Sequence, residues 1–312
     1  MDASPPFIAQ HAQMLANRVH KRFRHLRRTF ERRNVGAFRL YDRDIPEVRA
    51  AVDWYEGHLV VAEYARTQTD VPGYLEALGA AVAKALDVPG DRLHLKRRRT
   101  GTERYERLDH KDQRFPVREG ELKFLVELDD RIDTGLFLDH RTTRAAIRAD
   151  ARGARFLNLF GYTGAFTVAA IAGGANASTT VDSSATYLRW AHDNLALNNL
   201  AGPSHEGVRD DVRAFLDHTR FRYTLAVLDP PTTSTRPNAP DLDVQRDHRD
   251  LVLATLNVLS PGGVLWFSTN HQRFEPALDD LPVRSIAERT EDTVPEDFRN
   301  RTAHRCWRMV AP

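Results

Sequence analysis

The run FLNLFGYTGAFTVAAI, residues 156–171, decides the fold, and the stretch that it opens extends to residue 231. Residues 156–160 form a short apolar run, residues 161–164 a turn with a glycine at each end, and residues 165–171 an apolar helix start. This order predicts a strand–loop–helix unit. Gly161 and Gly164 allow the backbone to approach a ligand at the carboxyl edge of a parallel sheet, where doubly wound folds bind nucleotides.

Three acidic residues follow at or after predicted elements of the same stretch. Asp182 ends the strand 178–181, about twenty residues after the glycine turn, where an acid accepts hydrogen bonds from both ribose hydroxyls. Asp211 precedes a helix at residues 212–216, and Asp229 opens the sequence DPPT directly after the strand 224–228. Two prolines stop the ladder and stiffen the loop. The strand ends are therefore expected to line one crevice of an α/β sheet.

The turn departs from two common nucleotide-binding patterns. It is not Gly-x-Gly-x-x-Gly, which argues against a nicotinamide or flavin dinucleotide. The chain also has no Gly-x-x-x-x-Gly-Lys-Ser/Thr loop to cradle phosphates. An adenosine site without phosphates remains, and it suits S-adenosyl-L-methionine. Each feature alone is more often a turn or a helix cap; the prediction depends on their order.

Composition is typical of a globular protein of one large or two ordinary domains, with 312 residues and a net charge of +2 that is unevenly distributed. The longest apolar stretches, near residues 165–175, are too short and glycine-broken to span a membrane, and residues 1–6 lack a secretory signal. Cys306 is the only cysteine, so we expect no internal disulfide, no zinc cluster or other metal, and a cytoplasmic location.

A strongly basic helix is predicted at residues 16–33. Apolar residues recur there every three or four positions, and the remaining surface is crowded with cations. Repulsion among neighbouring cations costs stability unless an anion is bound. This favours RNA contact, through Arg24, Arg28 and Arg32, over a merely solvated face.

Short strands and a helix at residues 72–86 follow, and they predict a small α+β domain that ends near Leu128. Its strand 93–96 runs into a second basic patch, also assigned to RNA, which consists of Lys96, Arg97, Arg98 and Arg99. The predicted domains are residues 1–130, an RNA-binding domain made of the basic helix and the small α+β domain, and residues 131–312, a Rossmann-like α/β domain.

Residues 133–141, DTGLFLDHR, lead into a helix. His140 suggests a general base or, equally, a residue at a helix start that is bonded to backbone or a carboxylate. Asp139 and Arg141 are predicted to contact the charged methionine end of the cofactor, Arg141 pairing with its carboxylate; a plain surface pair between them is the alternative. The tail, residues 297–307, is expected to end in an edge strand.

Several motifs together resemble one family. They are residues 133–141, the turn NLFGYTG at 158–164, TVD at 180–182, DPPT at 229–232, DVQRDH at 243–248, and DFRNR at 297–301 with Cys306 and Trp307. They resemble the bacterial 23S rRNA guanine-N7 methyltransferases of the RlmK family, which in many bacteria form the C-terminal half of a fused enzyme, RlmKL. The resemblance covers nearly the whole chain from about residue 16. The family usually has Phe after DPPT; here Thr233 stands there and cannot stack on a base.

The resemblance implies a class I methyltransferase domain that uses S-adenosyl-L-methionine to methylate guanine N7 at position 2069 of 23S rRNA. The implied catalytic residues are Asp229, Pro230 and Pro231. The implied cofactor-binding residues, which lie at the strand ends and in the loops beside them, are Phe137, Asp139, Arg141, Asn158, Phe160, Tyr162, Thr163, Gly164, Asp182, Ser183, Asp211, Val212 and Asp229. Phe160 and Tyr162 would wall the cofactor, with ordinary core packing as the alternative; Asp211 would accept from the adenine amine.

Guanine N7 has an in-plane lone pair, so direct attack on a methyl group needs no base, and a carboxylate at Asp229 would favour the cationic product. We expect 23S rRNA as the partner, before or during subunit assembly and with the base exposed. A stand-alone chain, without the other parts of RlmKL, also suggests a separate guanine-N2 methyltransferase partner. Three alternatives stay open: an RNA cytosine-C5 methyltransferase, a small-molecule or protein methyltransferase, and an RNA-binding protein with a degenerate pocket.

Overall fold

The computed structural model describes residues 6–98, 113–234 and 241–312. It divides into two compact units, of which the first comprises Met1–Leu138 and Glu296–Asn300, and the second Asp139–Pro295 and Arg301–Pro312. The sequence predicts a domain boundary between residues 130 and 131, and no pattern in it indicates that residues 296–300 return to the first unit.

Three contacts explain why residues 296–300 belong to the first unit. The backbone N–H of Arg39 donates to the carboxylate of Asp297 at 2.8 Å, and the Arg39 guanidinium lies 4.6 Å from the ring centroid of Phe298. Arg299 pairs with Asp44 at 3.3 Å. The partners are far apart in sequence, so no local pattern could have predicted these contacts.

The first unit is an α+β structure. Its helices are α1 (Pro6–Arg32) and α2 (Tyr74–Leu86), and a short 3-10 helix covers Gly90–Arg92. Its strands are β1 (Ala37–Asp42), β2 (Ala50–Tyr55), β3 (His58–Tyr64), β4 (Leu93–Arg98), β5 (Arg114–Glu119) and β6 (Leu122–Glu127). Four strands form a sheet in the order β1-β2-β3-β4, with β3 and β4 parallel, and β5 and β6 form an antiparallel hairpin.

Helix α1 begins at Pro6, earlier than the predicted start at residue 16. Proline suits a first helical turn because its missing N–H would have no partner there. One face of α1 packs into the core of the first unit through Ile8, Ala12, Leu15, Ala16, Val19, Phe23, Leu26 and Phe30. This burial stabilises the helix, so the opposite face can be strongly cationic. Among the described helices, none combines the length and apolar character needed to cross a bilayer.

The second unit is built around one large sheet. A 3-10 helix, Leu138–His140, leads into it, and its helices are α3 (Arg141–Asp150), α4 (Ala165–Ala172), α5 (Ala185–Leu197), α6 (Val212–His218), α7 (Val244–Asn257) and α8 (Thr290–Thr293). Its strands are β7 (Arg155–Leu159), β8 (Ala177–Asp182), β9 (His205–Arg209), β10 (Tyr223–Leu228), β11 (Thr233–Ser234), β12 (Leu242–Asp243), β13 (Leu259–Thr269), β14 (Ser285–Glu288) and β15 (Arg305–Val310).

The seven-stranded sheet has the order β14-β15-β13-β10-β7-β8-β9. Strands β7, β8, β9, β10 and β13 are parallel, whereas β15 is antiparallel to both of its neighbours. The expectation that the tail ends in an edge strand was wrong, because β15 lies between β13 and β14 and it is β14 that forms the edge of the sheet. Sequence analysis missed β14 because all four of its residues are exposed and show no apolar pattern.

Both faces of this sheet are covered by helices. On one face, Phe156 packs with Ile147 of α3 and Phe166 of α4; on the other, Leu157 belongs to the cluster that contains Val252 of α7. Because β7 is covered on both sides, residues 156–159 are all buried, and they are apolar except for Asn158.

Candidate active site

The strand order reverses between β7 and β10, and in doubly wound folds such a switch point opens a crevice at the carboxyl ends of the strands. The register brings these ends level. Leu159 pairs with Val181 on one side and with Leu228 on the other, and Asp182 pairs with Arg209. The polar residues that follow the strands therefore meet at one edge of the sheet.

The turn after β7 has a backbone conformation that residues other than glycine rarely adopt. Phe160 has φ 57° and Tyr162 has φ 47°, both in the left-handed region, and Gly164 has φ 74°. A Cβ at Gly161 would lie 2.3 Å from Cγ2 of Thr180, so the turn needs glycine to pack this closely on β8. Strained residues persist only where their surroundings hold them, and they cluster at ligand sites.

Asp182 ends β8 and anchors this turn. One carboxylate oxygen accepts from the backbone N–H of Tyr162 at 3.0 Å, and the other accepts from the N–H of Ser184 at 2.8 Å. The side-chain hydroxyl of Ser184 caps α5, whereas Ser183 contributes its carbonyl to the guanidinium of Arg209 at 3.3 Å. Asp182 is thus bonded to the glycine turn at the sheet edge, where an acid was predicted.

Asn158 and Thr163 support the turn from inside. The side-chain amide of Asn158 donates to Thr167 Oγ1 at 2.9 Å, and the carbonyl of Thr163 accepts from the amide of Asn194 at 2.8 Å. Both predicted residues are fully buried. The side chain of Asn158 and the backbone of Thr163 therefore support the turn from within the core.

Asp211 is the N-cap of α6. Its Oδ1 accepts from the backbone N–H groups of Arg213 at 2.9 Å and Ala214 at 3.3 Å, an arrangement typically worth about 1 kcal/mol. Val212, the first residue of the helix, is buried. Helix capping alone explains why an acid stands at this strand–helix junction. A contact between Asp211 and adenine stays a prediction.

Asp229 follows β10 at the switch point, and two neighbouring side chains approach its carboxylate. Ser268 donates its hydroxyl to Oδ1 at 2.7 Å, and Nε2 of His140 lies 3.6 Å from Oδ2. Burial raises the pKa of Asp229 to about 6, although the Ser268 hydrogen bond opposes that shift. Pro230 is buried and Pro231 half-buried. A carboxylate that ionises at a cost in stability is typical of a functional site.

His140 and His304 stack with ring centroids 4.1 Å apart. His304 also contacts Asp139 through Nδ1 at 3.3 Å and Thr293 through Nε2 at 3.1 Å, and Nδ1 of His140 lies 3.2 Å from Thr143 Oγ1. Burial, and secondly the neighbouring His304, lower the pKa of His140 to about 3. Such a histidine is neutral at physiological pH and a weak base. The general-base interpretation of His140 is therefore not supported, and its contact with a carboxylate favours the alternative.

Asp139, His140 and His304 offer possible metal ligands within 4.8 Å of one another. A metal ion lies near the plane of each imidazole that binds it, but these two rings are stacked at only 19° to each other. Their nitrogens therefore do not converge on one point. Each ring nitrogen also has a partner in the second unit. Hydrogen bonds and stacking account for this cluster.

Lys96 does not belong to an exposed basic patch, contrary to the prediction for residues 96–99. This side chain is 1% exposed, and its ammonium donates to the carbonyls of Arg131 and Ile132. Burial lowers the pKa of Lys96 to about 8. The prediction that Lys96 contacts RNA was wrong, because the loop after β6 covers it.

The neighbouring arginines are engaged as well. Arg97 pairs with Glu63 at 3.1 Å and with Asp70 at 3.4 Å, and Arg98 lies 3.6 Å from Asp133. Their charges are partly neutralised within the first unit, which weakens the prediction that they bind RNA. Arg99, the last residue of the predicted patch, lies outside the described residues.

Four further predicted cofactor contacts remain predictions. Arg141 is half-buried at the start of α3, and Phe137 is half-buried in the first unit. Phe160 packs partly buried against the sheet core, and Tyr162 packs edge-on against Tyr187 with centroids 4.6 Å apart. These contacts correspond to the packing alternative for the two aromatic residues.

Sequence analysis did not single out Ser268 or His304. Ser268 follows Phe267, which pairs with Leu228 across β13 and β10, so a polar residue near the end of this adjacent strand was an available signal. His304 gave no such signal, because it reaches Asp139 from a position 165 residues later in the chain.

The run DVQRDH builds the start of α7. Asp243 caps the helix by accepting from the N–H of Gln245 at 2.9 Å, and the Gln245 amide exchanges two 2.9 Å hydrogen bonds with the backbone of Glu275. His248 accepts through Nε2 from the N–H of Ala277 at 2.8 Å. The motif thus fixes the segment that follows β13.

This strand order, with one reversed inner strand and an acid at the end of β8, defines a class I S-adenosylmethionine-dependent methyltransferase. The family model described as S-adenosylmethionine-dependent methyltransferase matches residues 36–291, and the chain belongs to this family. The predicted fold class and the predicted cofactor, S-adenosyl-L-methionine, are confirmed.

The chain is similar to larger proteins. It is 44% identical, over 99% of its length, to the ribosomal RNA large subunit methyltransferase K/L of Syntrophotalea carbinolica, and 41% identical, over 96%, to the protein of that name from Alcanivorax borkumensis. It covers 44% of each relative, less than half of their length. A solved structure from Streptococcus mutans, described as a SAM-dependent methyltransferase, matches 96% of this chain and 81% of its own at a TM-score of 0.77. At 21% identity, this similarity is evidence for the fold alone.

Proposed function

We propose that the chain methylates 23S rRNA at guanine N7, with S-adenosyl-L-methionine as the methyl donor. The observation that best supports this proposal is the setting of Asp229. Its carboxylate follows β10 at the switch point, is contacted by Ser268 and His140, and ionises near neutral pH. The names of the relatives, large-subunit rRNA methyltransferases K/L, support the RNA substrate.

The residues at the crevice fit an adenosine that carries a charged amino-acid tail. Asp182 stands where an acid binds ribose, and the left-handed turn at residues 160–164 brings backbone to the sheet edge. Asp139 and Arg141, of opposite charge, suit the ammonium and carboxylate of the methionine end. When bound, the cofactor supplies a methyl group on a cationic sulfur.

Asp229 would favour methylation electrostatically. Guanine N7 has a free lone pair, so no side chain needs to remove a proton, which agrees with the low pKa of His140. The methylated ring is cationic, and the ionised carboxylate favours that charge where it develops. Its oxygens can also accept from the N1–H and amino group of guanine, while Pro230 and Pro231 stiffen the backbone beside it.

The first unit would hold the RNA through α1, where Arg24, Arg28 and Arg32 are exposed. Thr233 is also exposed, in β11, and offers no ring to stack on a base. A ribosomal RNA substrate would place this activity in the cytoplasm. A separate guanine-N2 methyltransferase partner stays a prediction.

An RNA cytosine-C5 methyltransferase is the main competitor, and it needs a cysteine thiolate to attack the base. Cys306 is fully buried in β15, and burial, with the nearby charge of Asp229 as a second cause, raises the pKa of its thiol. A buried neutral thiol is a poor nucleophile. The burial of Cys306 therefore argues against the cytosine-C5 mechanism.

The decisive experiment incubates the protein with labelled S-adenosylmethionine and 23S rRNA from cells that lack the modification, and then identifies the methylated nucleoside by mass spectrometry. We expect 7-methylguanosine, and Asp229→Asn should lower its rate by about 100-fold. Asp217→Asn, an exposed change in α6, is the matched control and should leave the rate unchanged. Formation of 5-methylcytidine or N2-methylguanosine would refute the proposal, and cofactor binding without RNA methylation would favour another substrate.

A further inference from the structure

Most cations around helix α1 fall into two groups; Arg32 belongs to neither, because its Nε donates to the carbonyl of Arg28 at 3.2 Å within the helix itself. Those beside its buried face have partners in the first unit: Arg18 pairs with Asp44 at 3.0 Å, Arg22 donates to the carbonyl of Glu296 at 2.8 Å, Arg27 pairs with Glu31 at 2.6 Å, and Arg33 pairs with the Glu296 carboxylate. Arg27 and Arg33 are themselves exposed, but all four arginines already have a partner within the first unit that partly neutralises or binds the guanidinium.

The second group faces away from the core. Lys21, Arg24 and Arg28 are exposed and make no side-chain hydrogen bond or ion pair with any described residue. Their spacing of three and four positions places them on one line along the helix. Glu31 is the only acid in α1, and it pairs with Arg27. These three adjacent cations have no counter-ion within residues 6–98, 113–234 and 241–312, and they repel one another along the exposed face.

Part of this line lies in a concave site of about 580 Å³ between α1 and the end of α2. The site is lined by Ala16, Asn17, His20, Lys21, Arg24, His25 and Ala85, none of which is acidic. Nδ1 of His20 lies 3.0 Å from the carbonyl of Ala85, which fixes one wall. A concave surface with two cations, an amide and two imidazoles matches the oxygens of phosphate groups.

We propose that this concave site, continued by Arg28, is a groove that binds the phosphodiester backbone of an RNA strand. The proposal rests on the proposed function for the identity of the anion as RNA. The proposal limits the RNA-contacting residues of α1 to Lys21, Arg24 and Arg28. The arginines that pair within the first unit are not part of the groove.

A membrane surface would be another partner for a basic amphipathic helix, but such a helix must place its apolar face in the lipid. The apolar face of α1 is occupied: Leu15 and Val19 are 0% exposed in the core of the first unit. Only the charged face is available, and it suits a polyanion rather than a bilayer.

The test uses the full chain, a fluorescently labelled unpaired RNA oligonucleotide, and binding measured over a range of salt concentrations. The groove variant is Lys21→Gln/Arg24→Gln/Arg28→Gln. The control, Arg22→Gln/Arg27→Gln/Arg33→Gln, removes the same number of charges from the paired group. Each lost phosphate contact reduces the magnitude of the slope of log K against log salt by about 0.7–0.9. The slope should therefore fall in magnitude by about two in the groove variant and by less than about one in the control.

Equal losses in the two variants would overturn the groove, because net charge alone would then explain binding. An unchanged slope in the groove variant would also overturn it, as would binding of wild type to anionic phosphatidylglycerol vesicles but not to RNA. Circular dichroism and S-adenosylmethionine affinity should match wild type in both variants, because none of the substituted residues is a predicted cofactor contact. If the expected slopes are found but 7-methylguanosine is not formed, the groove stands and the guanine-N7 assignment fails.

Discussion

Replacement of Asp229 by Asn should stabilise the protein at alkaline pH while it impairs methyl transfer. The pKa of this carboxyl group rises from 3.8 to about 6 in the folded chain, because burial disfavours the charged form. The folded state therefore binds the proton more tightly than the unfolded state does. Ionisation costs stability progressively as pH rises from about 4 to about 6, and the full cost is present above that range.

The shift sets the size of the effect. About two pKa units correspond to about 3 kcal/mol, and the 21% exposure of the side chain makes this an upper value. Asn keeps an oxygen that can accept from Ser268 but carries no charge, so it avoids the cost. The free energy of unfolding of Asp229→Asn should exceed that of wild type by at most about 3 kcal/mol at pH 8, and by about half as much at pH 5.

Urea unfolding of wild type and Asp229→Asn at pH 8 and pH 5 measures both quantities. Asp217→Asn removes an exposed carboxylate from α6 and should change the free energy of unfolding by less than about 0.5 kcal/mol at either pH. If Asp229→Asn is no more stable than wild type at pH 8, or if its gain does not shrink on acidification, Asp229 does not carry a buried charge and the mechanism loses its electrostatic basis.

Three further changes test the crevice and the alternative chemistry. Asp182→Ala should weaken S-adenosylmethionine binding, because charge-assisted bonds of about 1.5–3 kcal/mol each are lost; unchanged affinity in calorimetry would remove Asp182 from the site. Gly161→Ala should cost about 1–3 kcal/mol in thermal unfolding, since its Cβ would meet Thr180, whereas Gly90→Ala, with nothing within 4 Å, should cost much less. Cys306→Ser should lose about 1 kcal/mol of stability but retain transfer; loss of transfer in the folded variant, with trapping of wild type on 5-fluorocytosine RNA, would instead support the cytosine-C5 mechanism.

The positions of the acids at the crevice could be predicted because the signals for them are local. Strand β10 ends in the apolar run 225–228, so the polar Asp229 was expected at its carboxyl end, whereas β8 contains buried Ser and Thr and Asp182 was located by its distance from the glycine turn. This places Asp182 and Asp229 at the edge, and the glycine turn between β7 and α4 beside them. Asp211 shows the limit of the same argument, because a strand–helix junction also calls for an N-cap.

The basic strand β4 shows where such patterns fail. Its alternation places Leu93 and Leu95 toward the core that contains α2, and His94 and Lys96 toward the other face. A sequence of this kind predicts a solvated basic face. The loop after β6 covers that face instead, with Asp129 bonded to His94 and two carbonyls bonded to Lys96. Whether the polar face of an alternating strand is exposed to solvent depends on other segments of the chain, which the sequence of the strand does not reveal.

The sequence by itself determined which chemical features occur along the chain: a glycine turn after β7, an acid at the end of β8, an acid–proline loop after β10 and an amphipathic basic helix. Only the tertiary structure decided which side chains contact Asp229, which cations of α1 are already paired, and that residues 296–300 return to the first unit. The physical reason is the range of the interactions. Periodicity and turns reflect neighbours along the chain, whereas burial and ion pairing depend on residues that only the packed fold brings together.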